Sequence, residues 1–167
     1  MAIARILIIE DERQTVDELR DHLESYGYET EVALTAPVGV SVLEERKMDL
    51  VVIGEDVHET SGLDILSKLK ELAPGLKAVL MTSQKSKRYQ ASLLKLGAQG
   101  VLTQPLDKPT SLKLIEGVLK GPVSAGKKRS RIHARKKTNI NPRARAAARS
   151  KAKSGVKRSR KKLIRGR

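Results

Sequence analysis

Five short aliphatic runs punctuate the first 120 residues, at positions 3 to 9, 28 to 34, 50 to 53, 76 to 81 and 100 to 102, each bounded by polar or turn-forming residues. That pattern predicts strands. The stretches between them have helical spacing instead. Val16, Leu19, Leu23 and Tyr26 fall on one face of a first helix that stops at Gly27, a residue suited to a left-handed cap. A second helix can start at Thr35 as N-cap, with Pro37 in its first turn. Ile65, Leu66, Leu69 and Leu72 mark a third, ended by Pro74-Gly75. Tyr89, Leu93 and Leu96 mark a fourth, closed by Gly97, and Leu112, Ile115 and Leu119 a fifth, after Pro109-Thr110.

Strand-helix units that follow one another, joined by right-handed crossovers, build a parallel sheet with helices on both faces. The expected fold class is therefore α/β, a doubly wound domain with a five-stranded parallel sheet. Its core should be aliphatic, since residues 1–120 hold 20 Leu, 11 Val and 7 Ile and the chain has no Phe or Trp. In such folds ligands sit at the carboxyl ends of the strands, where strand order reverses. The residues that follow each aliphatic run are thus the candidates for chemistry.

Charge divides the chain after Lys120. Residues 1–120 carry 15 basic and 19 acidic side chains, and residues 121–167 carry 19 basic and no acidic ones. The reading is one folded domain, 1–120, and one basic tail, 121–167. The chain has no Cys, which excludes disulfides, thiolate metal sites and thiol catalysis. Ile6-Leu7-Ile8-Ile9 runs directly into Glu10-Asp11-Glu12 without the cleavage site of an export signal. No apolar run approaches the ~20 residues of a membrane span. A cytoplasmic protein without membrane partners is expected.

Glu10 and Asp11 follow the first run, Gly54, Glu55 and Asp56 the third, Thr82 and Ser83 the fourth, and Gln104-Pro105 the fifth. Together with Arg5-Ile6-Leu7-Ile8-Ile9-Glu10-Asp11-Glu12, Asp49-Leu50-Val51-Val52-Ile53, Ser61-Gly62-Leu63-Asp64, Met81-Thr82-Ser83 and Gly97-Ala98, this series resembles the receiver domain of bacterial response regulators over residues 3 to about 119. The resemblance implies a fold, receiver-like (βα)5, and a chemistry. In that family an acidic pair after the first strand binds magnesium, and an aspartate ending the third accepts a phosphoryl group from a histidine kinase. A hydroxyl after the fourth strand and a lysine after the fifth then hold the phosphoryl oxygens. Hard carboxylate oxygens suit magnesium, and an ammonium neutralises developing charge.

Carried over by position, Glu10 and Asp11 match the acidic pair and Thr82 the hydroxyl. Gly54 stands at the phosphoacceptor position, five residues on from Asp49 and eight before Gly62, and has no side chain to act as nucleophile. Gln104, before Pro105, stands where the lysine belongs and brings no charge. The aromatic residue usual before that position is absent from Gly100-Val101-Leu102-Thr103. The expected site is a remnant made of Glu10, Asp11, Gly54, Thr82, Gln104 and Pro105. Its metal ligands would be Glu10 and Asp11, with weak or absent magnesium binding and no other cofactor. Without a carboxylate at Gly54 the two acids crowd each other, and one can take up a proton. Glu55 and Asp56 are read as loop surface, because the neighbour of a strand position points to the opposite face and Glu55 would need a bulge to reach the site.

From Gly121-Pro122 on, only six Val, Leu or Ile occur in 47 residues, too few to offset the entropy of ordering, so a largely disordered tail is expected. Its candidate nucleic-acid contacts are Lys127, Lys128, Arg129, Arg131, Arg135, Lys136 and Lys137, then Arg143, Arg145, Arg149, Lys151 and Lys153, then Lys157, Arg158, Arg160, Lys161 and Lys162. The middle group follows Asn141-Pro142, a helix start, and like charges oppose that helix until an anion neutralises them. The tail has no aromatic platform for single strands and no recognised DNA- or RNA-reading motif. Duplex DNA with little sequence preference is the favoured ligand, and structured RNA the second.

The expected function is that of a degenerate receiver in signal transduction. It would be a binding protein and not an enzyme, docking a protein partner without phosphorylation while the tail holds nucleic acid. Self-association as a homodimer is compatible with this. Two alternatives stand beside it. In one, Glu55 or Asp56 accepts phosphate and regulates exposure of the tail; in the other, the chain is an architectural, DNA-compacting protein. The tail could also fold back onto the acidic first helix around Asp17, Glu18 and Asp21.

Overall fold

The computed structural model describes residues 3–122. The apolar runs form β1 (Arg5–Ile9), β2 (Glu29–Ala33), β3 (Leu50–Ile53), β6 (Lys77–Thr82) and β7 (Gly100–Thr103), with a short hairpin, β4 (Asp56–Val57) and β5 (Thr60–Ser61), inserted after β3. The amphipathic stretches form α1 (Arg13–Ser25), α2 (Ala36–Glu45), α3 (Gly62–Leu72), α4 (Lys87–Lys95) and α5 (Lys108–Lys120). The five long strands make one sheet in the order β2-β1-β3-β6-β7, and every pairing within it is parallel. This is the expected doubly wound α/β fold.

Alternate side chains along each strand feed two cores, as the period of two requires. Ile6, Ile8, Leu50, Val52, Val79, Met81 and Leu102 pack with Val16, Leu19 and Leu23 of α1 and Ile115 of α5. Leu7, Ile9, Val51, Ile53, Ala78 and Leu80 pack with Ile65, Leu66 and Leu69 of α3 and Leu93 of α4, with Val40 of α2 against them. α1 and α5 therefore cover one face, and α2, α3 and α4 the other. The chain leaves β1 in one direction to β2 and returns on its other side to β3. The carboxyl ends of β1 and β3 thus flank the crevice in which such folds bind ligands.

Helix ends follow local chemistry. Gly27 and Gly97 adopt φ of 86° and 118°, the left-handed conformation that ends α1 and α4. The side chains of Ser61, Ser86 and Asp107 accept hydrogen bonds from the N–H of Asp64, Tyr89 and Thr110 and cap α3, α4 and α5. Thr35 is the N-cap residue of α2, with Pro37 in the first turn, as its sequence suggests. Three apolar positions assigned to helix faces are corrected. Tyr26 and Leu96 are each 58 % exposed and Leu72 is 49 % exposed. Each lies at the last residue of its helix or just past it, beyond the turns that pack on the sheet. The tail from residue 123 on, with the disorder expected of it and all of its candidate nucleic-acid contacts, lies outside the described residues.

Candidate functional site

β1 delivers Glu10 to the crevice, where its side chain is buried. Its Oε1 accepts the N–H of Asp11 at 3.0 Å and of Glu12 at 3.2 Å. Gly54, first residue after β3, is fixed beside it by donating its N–H to the carbonyl of Ile9 at 2.9 Å. A Cβ at Gly54 would stand 2.3 Å from Glu10 Oε2 and 2.9 Å from its Cδ. The Glu10 carboxyl thus fills the space that a side chain at position 54 would need. Burial pushes that carboxyl above its ordinary range against the pull of the two N–H donors, and neighbouring Asp11 adds to the rise.

Asp11 also reaches the hairpin that follows β3. Its Oδ2 accepts the N–H of His58 at 3.0 Å, the bond that holds its pKa below the ordinary carboxylate range. His58 and Glu59 form the two-residue turn of the β4–β5 hairpin, with φ of 45° and 63°. Both are left-handed, as the tight hairpin turn of this twist demands, and neither is glycine. Gly62 returns the hairpin to the end of β3. Its N–H donates to the Glu55 carbonyl at 2.7 Å, and a Cβ there would lie 2.2 Å from the carbonyl oxygen of Gly54. No larger residue fits between those backbones without moving one.

Glu55 corrects the surface reading. The backbone bends at Glu55, and its side chain meets the segment that follows β6 and the first turn of α4. Its Oε2 accepts the N–H of Ser83 at 3.1 Å and the Ser83 hydroxyl at 3.3 Å, while Oε1 accepts Gln84 Nε2 at 3.3 Å and the Tyr89 hydroxyl at 3.2 Å. Partial burial opposes ionisation, but these donors and the Thr82 hydroxyl outweigh it, so the carboxyl titrates below its ordinary range. Tyr89 shifts upward through burial and the adjoining Glu55 charge. Asp56 is exposed, as expected. Ser83 was marked only by its place after the fourth run, and Gln84 and Tyr89 were not legible as site residues: Tyr89 counts as a helix-face apolar residue in the sequence pattern, and nothing in that pattern locates its hydroxyl.

Thr82 is fully buried, and its hydroxyl oxygen accepts the N–H of Gln84 at 3.0 Å. Gln104 follows β7 and donates its N–H to the Thr82 carbonyl at 2.9 Å. It enters a cis peptide bond with Pro105. The crevice therefore brings together Glu10, Gly54 and Thr82 at adjacent strand ends, with Gln104 beside Thr82. Asp11 is tied to the hairpin while its carboxyl stays beside that of Glu10. A magnesium ion wants several hard oxygens converging on it. Here Glu10 is tied to two backbone donors, Asp11 to a third, and position 54 supplies no oxygen from a side chain. Among the described residues no group of three His, Asp or Glu comes together that could hold a metal ion. The residues present do not fit the family's metal.

The model of the response regulator receiver domain matches residues 6–116. The chain belongs to this family. A receiver domain is a module of response regulators in signal transduction. In sequence this receiver is 29 % identical over 110 residues to the alginate biosynthesis transcriptional regulatory protein AlgB of Pseudomonas aeruginosa, covering 66 % of this chain and 24 % of that protein. It is 26 % identical over 102 residues to the photosynthetic apparatus regulatory protein RegA of Rhodobacter capsulatus, covering 61 % and 55 %. The chain thus spans well under two thirds of either relative. The solved structure of a CheY-like response regulator receiver domain protein from Methanospirillum hungatei superposes with a TM-score of 0.64 at 29 % identity, over 71 % of this chain and 94 % of the other. No helix among the described residues is long and apolar enough to cross a membrane.

Proposed function

We propose that this receiver works without accepting a phosphoryl group, as a protein-docking module whose basic tail holds the docked partner on nucleic acid, duplex DNA first. The observation that carries this reading is Gly54, where a nucleophilic side chain is absent and the carboxyl of Glu10 takes up the space. The neutral Gln104 and the lack of an aromatic ring in β7 point the same way. On this reading the chain is a binding protein and not an enzyme. The transcriptional role printed in the name of the relative AlgB agrees with a nucleic-acid output, and the 19 basic residues of the tail supply the charge for one.

The decisive experiment treats the full chain with a small-molecule phosphodonor in magnesium and follows intact mass. No added phosphoryl group is expected. A stable acyl phosphate would overturn the reading and favour the alternative in which Glu55 takes it. That alternative requires Glu55 to leave four hydrogen-bond donors.

A further inference from the structure

α4 is lightly attached to the domain: of its nine residues, Leu93 alone is buried within the helix, as Gly39 alone is in α2, whereas α3 buries Gly62, Ile65, Leu66 and Leu69. Apolar packing therefore constrains α4 less, and polar ties gain weight in setting where it starts. Apart from the Ser86 cap, those ties converge on one group. Four donors from Ser83, Gln84 and Tyr89, spanning the β6–α4 loop and the first turn of α4, meet the two carboxylate oxygens of Glu55, which sits 28 to 34 residues earlier in the chain. Gln84 extends the network, since its carbonyl accepts Gln90 Nε2 at 3.1 Å and that amide also donates to Thr103 Oγ1 of β7 at 3.0 Å. No Lys or Arg among the described residues forms an ion pair with Glu55. Its charge is met by neutral donors alone, from the loop and helix it positions and from the Thr82 hydroxyl at the end of β6.

We propose that Glu55 is a permanent internal anion: its carboxylate fills the cradle made by Ser83, Gln84 and the Tyr89 hydroxyl, and so holds the start of α4 in one place with no chemical modification. A carboxylate is suited to this because it can accept from several donors at once, and hydrogen bonds to an ionised acceptor are stronger than neutral ones. Its backbone is fixed on the other side by Gly62, whose N–H binds the Glu55 carbonyl. The anchor is thus tied to β3 and α3. The exposed face of α4, with Lys87, Arg88, Ala91, Leu94 and Lys95, is then presented in a single setting. That consequence rests on the docking reading above, while the anchor itself does not depend on whether phosphate is accepted.

The test uses the full chain with Glu55→Ala and Glu55→Gln and reads amide hydrogen exchange by residue. In Glu55→Ala, exchange at residues 83–90 is expected to rise roughly tenfold, with β1 and β3 unchanged. The Tyr89 phenol, followed by phenolate absorbance against a Tyr89→Phe control, is expected to titrate at lower pH once the adjoining charge is gone. Unchanged exchange at 83–90, or a rise shared equally by β1 and β3, would overturn the proposal. So would native protection in Glu55→Gln, which keeps the length and one acceptor oxygen but not the charge. Phosphodonor labelling of the unmodified chain is read separately, so the docking reading and the anchor can each fail alone.

Discussion

At Gly54 a carboxyl group and a missing side chain compete for one space, and the obstacle is the far end of a flexible side chain. At Gly62, eight residues on, the obstacle is a backbone carbonyl. The two glycines should therefore respond differently to the same methyl group. Gly54→Ala is expected to cost about 1 kcal/mol, because Glu10 must give up its hydrogen bonds to make room. The cost should vanish in a Glu10→Ala background, a coupling that a double-mutant cycle of urea unfolding would detect. Gly62→Ala should cost roughly 3 kcal/mol with no relief from Glu10→Ala, since a backbone has to move. Equal behaviour of the two positions would mean that Glu10 does not hold the space beside Gly54.

Among the elements, the β4–β5 hairpin and the α5 cap are the ones whose local chemistry can be tuned alone. His58 and Glu59 sit in a left-handed turn that Asn-Gly adopts with less strain. Replacing the pair, His58→Asn with Glu59→Gly, is expected to raise stability by about 1 kcal/mol while leaving the N–H that binds Asp11 in place. A denaturation midpoint no higher than that of the native chain would count against this. Asp107 caps α5 through Thr110, and the hydroxyl and N–H of Thr110 hold its pKa below the ordinary 3.8. The cap therefore contributes stability that is present above that pH and is lost as pH falls through the folded-state value. Melting temperatures of Asp107→Asn should lack this acid-side component, and Asp107→Ala should melt lower than either at neutral pH.

For the whole molecule, the property to test is the separation of charge, a net −4 over residues 1–120 and +19 over residues 121–167. If the tail binds duplex DNA through its phosphates, deleting residues 121–167 should abolish the mobility shift of a generic duplex. With six to ten phosphate contacts, the full chain should lose roughly 10³ to 10⁵ in affinity between 50 and 200 mM salt. A shift that survives the deletion would place the contact on the receiver domain. A salt-insensitive shift would argue against phosphate recognition altogether.

The pattern of apolar positions was enough to determine the five parallel strands and the five helices and to put the site at the strands' carboxyl ends, while the strand order that makes β1 and β3 flank the crevice came from the structure. Burial on two faces leaves its mark on every second strand residue, and Gly, Pro and capping residues mark the ends. Gly54 and Gln104 were legible for the same reason that any missing group is: a side chain that is not encoded cannot be supplied by folding. The tertiary structure alone decided the remainder. That the Glu10 carboxyl lies in the space beside Gly54 depends on distances across two strands. Where Asp11 turns depends on a hairpin too short to show a periodic pattern. The direction of Glu55 depends on one backbone bend at that residue, and its first partner comes from a loop 28 residues away. Periodicity reports which face of an element is buried, but contacts between loops at strand ends are set by how those elements stack, and no local pattern carries that information.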